Sequence, residues 1–248
     1  MSPRPALITL RWGAVGQGVW AALLLLVYAA LMLFVPVPGF GAGVLEPGSD
    51  LAAYVDRALL GTHLGHRDWD PEGILSNIPA IASVLAGALA GDWLLGETAE
   101  RVPRGLFAGG MAVAALGLLI GLWLPLNKSL WSSSYVLFTA GLSAMALALC
   151  FWLVDVRGWS AWTLPFLVLG TNPMLAYWLS SFVAKLMELV HVTRVDGSSV
   201  FLETSLVDAL QALVVSRPIA ALLYSLAYAA LWIALLGPLF RRRIFIRI

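Results

Sequence analysis

The chain has 248 residues, 60% of them hydrophobic and 12% charged, with a mean hydropathy of +0.88. A soluble domain carries about 25% charged residues, so half that share argues for a membrane protein. A net charge of +1, with no basic patch interleaved with aromatics, argues against a nucleic-acid partner, and a single cysteine (Cys150, inside an apolar run) excludes a disulfide framework and a Cys-rich metal site.

Six apolar stretches approach the roughly 20 residues that cross a bilayer. They fall near residues 16–36, 74–95, 105–126, 134–154, 162–187 and 218–240. They predict an all-α polytopic helix bundle forming one transmembrane domain over residues 1–248, with the bilayer as its first partner. The eleven tryptophans fit this, because several lie near predicted helix ends as interfacial belts do. The first stretch follows Arg4 and Arg11, but its apolar core is longer than a signal sequence needs. Val35-Pro36-Val37-Pro38 is also a poor cleavage site, so it reads as a true span.

Positive charge sets the orientation. With both termini cytoplasmic, the inner segments hold Arg4, Arg11, Arg101, Arg104, Arg157, Arg241, Arg242, Arg243 and Arg247, nine of the fifteen Lys+Arg. The outer segments then hold Arg57, Arg67, Lys128, Arg194 and Arg217. In a bacterium this describes a multi-pass protein of the plasma (inner) membrane.

The outer loops, residues 37–73 and 188–217, are long. The first offers an amphipathic helix near 50–60, capped by Asp50, with Leu51, Val55, Ala58 and Leu59 on one face. The second offers another, with Val200, Leu202, Leu206, Leu210 and Leu213 among Glu203, Asp208 and Gln211. Trp69-Asp70-Pro71-Glu72-Gly73-Ile74-Leu75-Ser76-Asn77-Ile78-Pro79 reads as the start of the second span. Asp70 caps, Pro71 sits where a missing N–H costs nothing, and Glu72 complements the helix dipole. Asn77 then falls about 7 Å deeper. Within the spans, Gly87 with Gly91, and Gly110, Ala114 and Gly117, have helix-packing spacing.

Several polar groups stand out. Gly170-Thr171-Asn172-Pro173 interrupts the fifth span, with Asn172 about 13 Å from its inner end by rise per residue. An intramembrane amide beside a proline reads either as a site residue or as a structural hydrogen bond between helices. Lys185 and Glu188 are spaced to pair, and Asp92 to face Arg101 or Arg104. The outer turn from Pro125 to Tyr135 packs Asn127, Lys128 and Trp131 beside three serines, a polar-aromatic surface of the kind that takes a sugar or an anion. His63, His66 and His191 all fall in outer loops without a spaced partner, and no metal-ligand spacing or phosphate loop is present.

Taken together, these residues resemble the heparan-α-glucosaminide N-acetyltransferase family of polytopic membrane acetyltransferases. The resemblance rests on Trp69-Asp70-Pro71-Glu72-Gly73-Ile74-Leu75, on Pro125-Leu126-Asn127-Lys128-Ser129-Leu130-Trp131 with Ser134-Tyr135-Val136, and on Asp155-Val156-Arg157-Gly158. Gly170-Thr171-Asn172 and Arg241-Arg242-Arg243-Ile244-Phe245 add to it, in the order of that family's C-terminal half.

The resemblance implies transfer of an acetyl group from cytosolic acetyl-CoA to an amino sugar across the membrane, with no metal. It implies acceptor-side residues Asp70, Glu72, Asn127, Lys128 and Trp131, intramembrane polar residues Asn77 and Asn172, and CoA-phosphate residues Arg157, Arg241, Arg242 and Arg243. The family's active histidine lies in spans that precede the matching region, and no histidine here matches it. The expectation is therefore a C-terminal half that works with an N-terminal half or partner subunit and does not catalyse transfer alone. A homo-oligomer is compatible with this. The alternative is a non-enzymatic membrane module, either part of a transporter or an accessory subunit.

Overall fold

The computed structural model describes residues 12–61, 63–65, 68–70, 72–193, 197–214 and 216–246. Arg4, Arg11, His66, Arg67, Pro71, Arg194 and Arg247 lie outside the described residues. The backbone falls into two compact units, divided between Trp159 and Ser160. Among the described residues, five helices are long and apolar enough to cross a membrane, or six if one bent pair counts as a span.

The first unit holds α1 (Ala14–Phe34), α2 (Leu51–Leu60), α3 (Asn77–Gly96), α4 (Arg101–Ile120) and α5 (Ser133–Phe151), the last continued by one π turn (Trp152–Val156). Twenty-one residues give α1 a length of about 31 Å, enough for the hydrocarbon core. Helix α1 packs on α3, α4 packs on α5, and α3 also meets α5. The α4–α5 contact is close because small residues allow it. A Cβ at Gly110 would sit 2.7 Å from the Gly141 carbonyl oxygen, and one at Gly117 2.5 Å from the Phe138 nitrogen. Gly87 and Gly91 differ from expectation, since a Cβ on either would meet nothing within 4 Å. They open space rather than close a helix contact.

Helix α2, the described residues that flank it and the turn 121–132 share one end of this unit, the outer end by the charge rule. There Tyr28, Met32, Val37, Leu51, Ala52 and Leu130 form a buried cluster, with Leu75 and Ile78 packed against it. The Tyr28 hydroxyl donates to the Leu130 carbonyl at 2.5 Å, and the Ser133 hydroxyl to that of Leu25 at 2.8 Å. Both bonds satisfy polar groups that water cannot reach. Helix α2 is capped as expected, with the Asp50 carboxylate accepting from the Ala53 N–H at 3.1 Å. Its buried face is rotated from the predicted one. Leu51, Ala52, Ala53 and Asp56 are buried, while Ala58 and Leu59 face outward.

The second unit begins with a 3-10 turn (Ala161–Thr163) and holds α6 (Leu164–Gly170), α7 (Pro173–Leu189), β1 (His191–Thr193), β2 (Ser199–Phe201), α8 (Leu202–Val214) and α9 (Arg217–Arg241). The predicted fifth span is broken, because the segment Ala161–Gly170 and α7 are bent by 74°. Pro173 has no N–H to continue the helix and drives the preceding Asn172 to φ −132°, ψ 58°. The predicted amphipathic piece from Val200 is part strand and part helix. Val200 pairs with Val192 in an antiparallel ladder, and the helix starts at Leu202. β-Branched and aromatic residues favour that pairing. Lys185 and Glu188 form the expected ion pair at 2.7 Å.

Candidate functional site

The outer turn between α4 and α5 is a closed hydrogen-bond network. Asn127 accepts through Oδ1 from the N–H groups of Ser129 (2.9 Å) and Leu130 (3.4 Å), and its own N–H donates to the Ser132 hydroxyl at 3.1 Å. The Ser132 and Ser134 hydroxyls both donate to the Pro125 carbonyl, at 2.8 and 3.2 Å, and Ser132 caps α5 through the Tyr135 N–H. Asn127 is therefore occupied in building the turn. The Lys128 side chain is exposed and enters no hydrogen bond or ion pair among the described residues.

This network forces Trp131 to φ 50°. A non-glycine residue pays for a left-handed backbone, and such residues cluster at functional sites. Among the described residues the positive-φ positions other than glycine are Trp131 and Arg243, both sequence candidates. The Trp131 ring meets Tyr135 edge to face with centroids 5.8 Å apart, and its Nε1–H donates to the Ser83 hydroxyl at 3.3 Å.

The ring walls a cavity of about 320 Å³ between α3 and α5, which also takes in Ser83, Gly87, Ala90, Tyr135, Thr139, Ser143 and Leu147. Tyr135 to Leu147 spans roughly 18 Å of helix, so the cavity runs from the turn well into the span. The Tyr135 and Ser143 hydroxyls have no protein partner among the described residues and are free for a ligand. Sequence reasoning missed this role of Gly87, because its spacing from Gly91 reads as helix packing.

The stretch from Trp69 to Pro79 does not start the helix at Asp70. Asp70 spends both oxygens on a loop, accepting from the N–H groups of Gly65 (2.8 Å) and Glu72 (2.9 Å). Helix α3 begins at Asn77. Asn77 is exposed, and its amide donates to the Gly73 carbonyl at 2.9 Å, so it closes the turn before the helix rather than lying a turn deeper.

The cause is Asp56, a residue sequence reading missed. It is fully buried on α2, its Oδ1 accepts from the Ile74 N–H at 2.8 Å, and its Oδ2 has no hydrogen-bond partner. That bond holds Gly73–Ile74 against α2 and keeps the chain out of helical geometry. Burial pushes the Asp56 carboxyl above the usual carboxylate range. The Ile74 N–H works against that, the Asp70 and Asp50 charges add to it, and Arg57 opposes it. The predicted apolar face of α2 leaves Asp56 out, so the sequence pattern carried no signal for it. Arg57 closes the loop, donating to the carbonyls of Gly48 (2.6 Å) and Asp68 (2.7 Å).

The stretches 69–79 and 125–135 converge at this end, since Leu75, Ile78 and Leu130 share one cluster. Among the described residues no hydrogen bond or ion pair joins Asp70 or Glu72 to Asn127, Lys128 or Trp131. At the other end of the unit, Asp92 accepts from the Gln17 amide at 3.3 Å rather than facing Arg101, which pairs with Glu97 at 3.8 Å. Arg157 lays its guanidinium 4.7 Å from the Trp152 ring. His63 and His191 are exposed and each has its Nδ1 near a backbone carbonyl, of Leu60 and Leu189.

In the second unit, Arg241 and Arg242 border a cavity of about 580 Å³ walled by Leu164, Pro165, Val168 and Pro238. Asn172 is 1% exposed and both its amide atoms are engaged: its Nδ2 donates to the Ile244 carbonyl at 3.0 Å, and its Oδ1 accepts from the Ile246 N–H at 2.8 Å. Its amide therefore ties down the tail that follows α9 rather than a second helix. The depth counted along one straight span does not carry through the 74° bend.

No family model matches the chain. It is 33% identical over 195 residues to the heparan-alpha-glucosaminide N-acetyltransferase of Mus musculus, and 32% over 196 residues to that of Homo sapiens. The chain resembles these membrane acetyltransferases. Each match covers 64% of this chain, which spans 29% of the length of either relative. The resemblance read from the motifs stands, and the protein is an integral membrane helix bundle similar to N-acetyltransferases.

Proposed function

We propose that the chain serves acetyl transfer from acetyl-CoA to an amino sugar across the membrane. It contributes an acceptor surface around Trp131 and a phosphate-binding surface at Arg241 and Arg242. The observation that carries this reading is Trp131, held in left-handed geometry with its ring against a cavity whose free hydroxyls belong to Tyr135 and Ser143. A sugar presents an apolar C–H face to such a ring and hydroxyls to its edges. Asp70 and Glu72, at the same end, attract the protonated amine before it reaches the cavity.

The transfer exchanges a thioester C–S bond for an amide C–N bond. The amine must lose a proton to a base, and CoA leaves as the thiolate. The donor's phosphates suit Arg241 and Arg242, because guanidinium forks bind phosphate in two-point fashion and the adjoining cavity is apolar. Asn172 positions the tail that follows these arginines and has no free polar atom for the substrate.

The test is equilibrium binding to the 248-residue chain in lipid vesicles. Radiolabelled acetyl-CoA is expected to bind saturably and to weaken roughly tenfold in Arg241→Gln or Arg242→Gln, the loss of one charge-assisted contact. Glucosamine is expected to bind the same chain. Failure of both ligands to bind would overturn the reading in favour of a non-enzymatic module.

A further inference from the structure

A second cavity of the first unit lies away from the outer turn. About 680 Å³ opens between the start of α4 and the end of α5, beside the loop 97–100. Its walls are apolar, with Phe107, Met145, Leu149 and Trp152 among them, and its mouth carries Glu100 and Arg104. A glutamate four residues before an arginine is the favoured order for a helical ion pair. Here that pair is not made. Among the described residues neither the Glu100 nor the Arg104 side chain enters an ion pair or hydrogen bond, and the nearby Arg101 takes Glu97 instead. The mouth thus carries a carboxylate and a guanidinium that pair with no group among the described residues. Arg157 follows the lining residue Val156, and its guanidinium stacks 4.7 Å from the ring of Trp152, which walls the cavity. Stacking leaves the in-plane N–H donors of that guanidinium free.

We propose that this cavity seats an acyl tail of a phospholipid with an ethanolamine headgroup, its phosphate between Arg104 and Arg157 and its ammonium on Glu100. The charges match this zwitterion group for group. Two cations face one phosphate, and one carboxylate faces a primary ammonium that has N–H bonds to donate. A choline headgroup has no such N–H, and a glycerol headgroup brings no cation for Glu100. The apolar wall takes the hydrocarbon, and by the charge rule this end of the bundle faces the cytoplasmic leaflet.

The experiment is native mass spectrometry of the purified 248-residue chain, titrated with phosphatidylethanolamine, phosphatidylcholine and phosphatidylglycerol of identical acyl chains. One ethanolamine lipid is expected to be retained about tenfold more strongly than either of the others, the scale of one charge-assisted hydrogen bond. Glu100→Gln should erase the preference over the choline lipid, and Arg104→Gln should weaken all three lipids, while Arg104→Lys keeps most of the binding. Ala146→Trp, at an exposed wall position, should fill the cavity and abolish retention with helix content unchanged by circular dichroism. Equal retention of the three lipids, undiminished retention in Ala146→Trp, or displacement of the lipid by acetyl-CoA would overturn the proposal.

Discussion

Gly73→Ala is the sharpest test of how the outer end is held together. A Cβ at residue 73 would overlap the Asp56 carboxylate, lying 2.6 Å from its Cγ and 2.7 Å from its Oδ1. The carboxylate cannot swing aside freely, since it is fully buried and already accepts the Ile74 N–H at 2.8 Å. Overpacking of this kind costs about 1–3 kcal/mol, and losing the bond to a charged acceptor a further ~1.5 kcal/mol. The sum of roughly 3 kcal/mol corresponds to about a 150-fold rise in local opening. Hydrogen exchange at the Ile74 amide and along α2 reads that directly. The double variant Gly73→Ala/Asp56→Ala should recover much of the loss, because the second change removes the group the first collides with. Simple additivity, or unchanged exchange in Gly73→Ala, would refute the packing argument.

Other outcomes follow from the same geometry. Because burial raises the Asp56 pKa in the folded state, its contribution to stability is fully present below the ordinary carboxylate range and is lost as pH rises through the raised value. Exchange at Ile74 should therefore accelerate from acidic toward neutral pH, and Asp56→Asn should flatten that slope. Asn172→Ala removes two hydrogen bonds to the tail, worth about 2 kcal/mol together, so proteolysis within residues 242–246 should quicken while α9 stays protected. Gly87→Leu should fill the Trp131 cavity without disturbing helix packing, since a Cβ there meets nothing within 4 Å, and should lower amino-sugar binding at unchanged thermal stability.

The spans were legible because hydropathy over about 20 residues is a strong and local signal. Residues 16–36 became Ala14–Phe34, and 218–240 became Arg217–Arg241. Asp50 was legible as a cap for the same reason, its partner being three residues away. What sequence could not supply was competition from distant groups. Asp70 looks like a cap until Gly65 and Glu72 claim its oxygens, and the helix start moves to Asn77 because Asp56, eighteen residues before Ile74, holds that N–H. The bend at Asn172–Pro173 was marked by its proline, but its 74° and the tail bound to the amide depend on tertiary contacts. Trp131 was singled out by composition, whereas its cavity needed the empty space beside Gly87.

The most direct measurement is glucosamine binding to the chain in vesicles, compared between Trp131→Ala and Trp123→Ala. Trp123 sits near the same end, is 70% exposed and borders no part of the cavity. The account predicts about a tenfold or greater loss of affinity in Trp131→Ala, the scale of one stacked aromatic contact with its hydrogen bond, and wild-type binding in Trp123→Ala. Equal affinity in the two variants would contradict it.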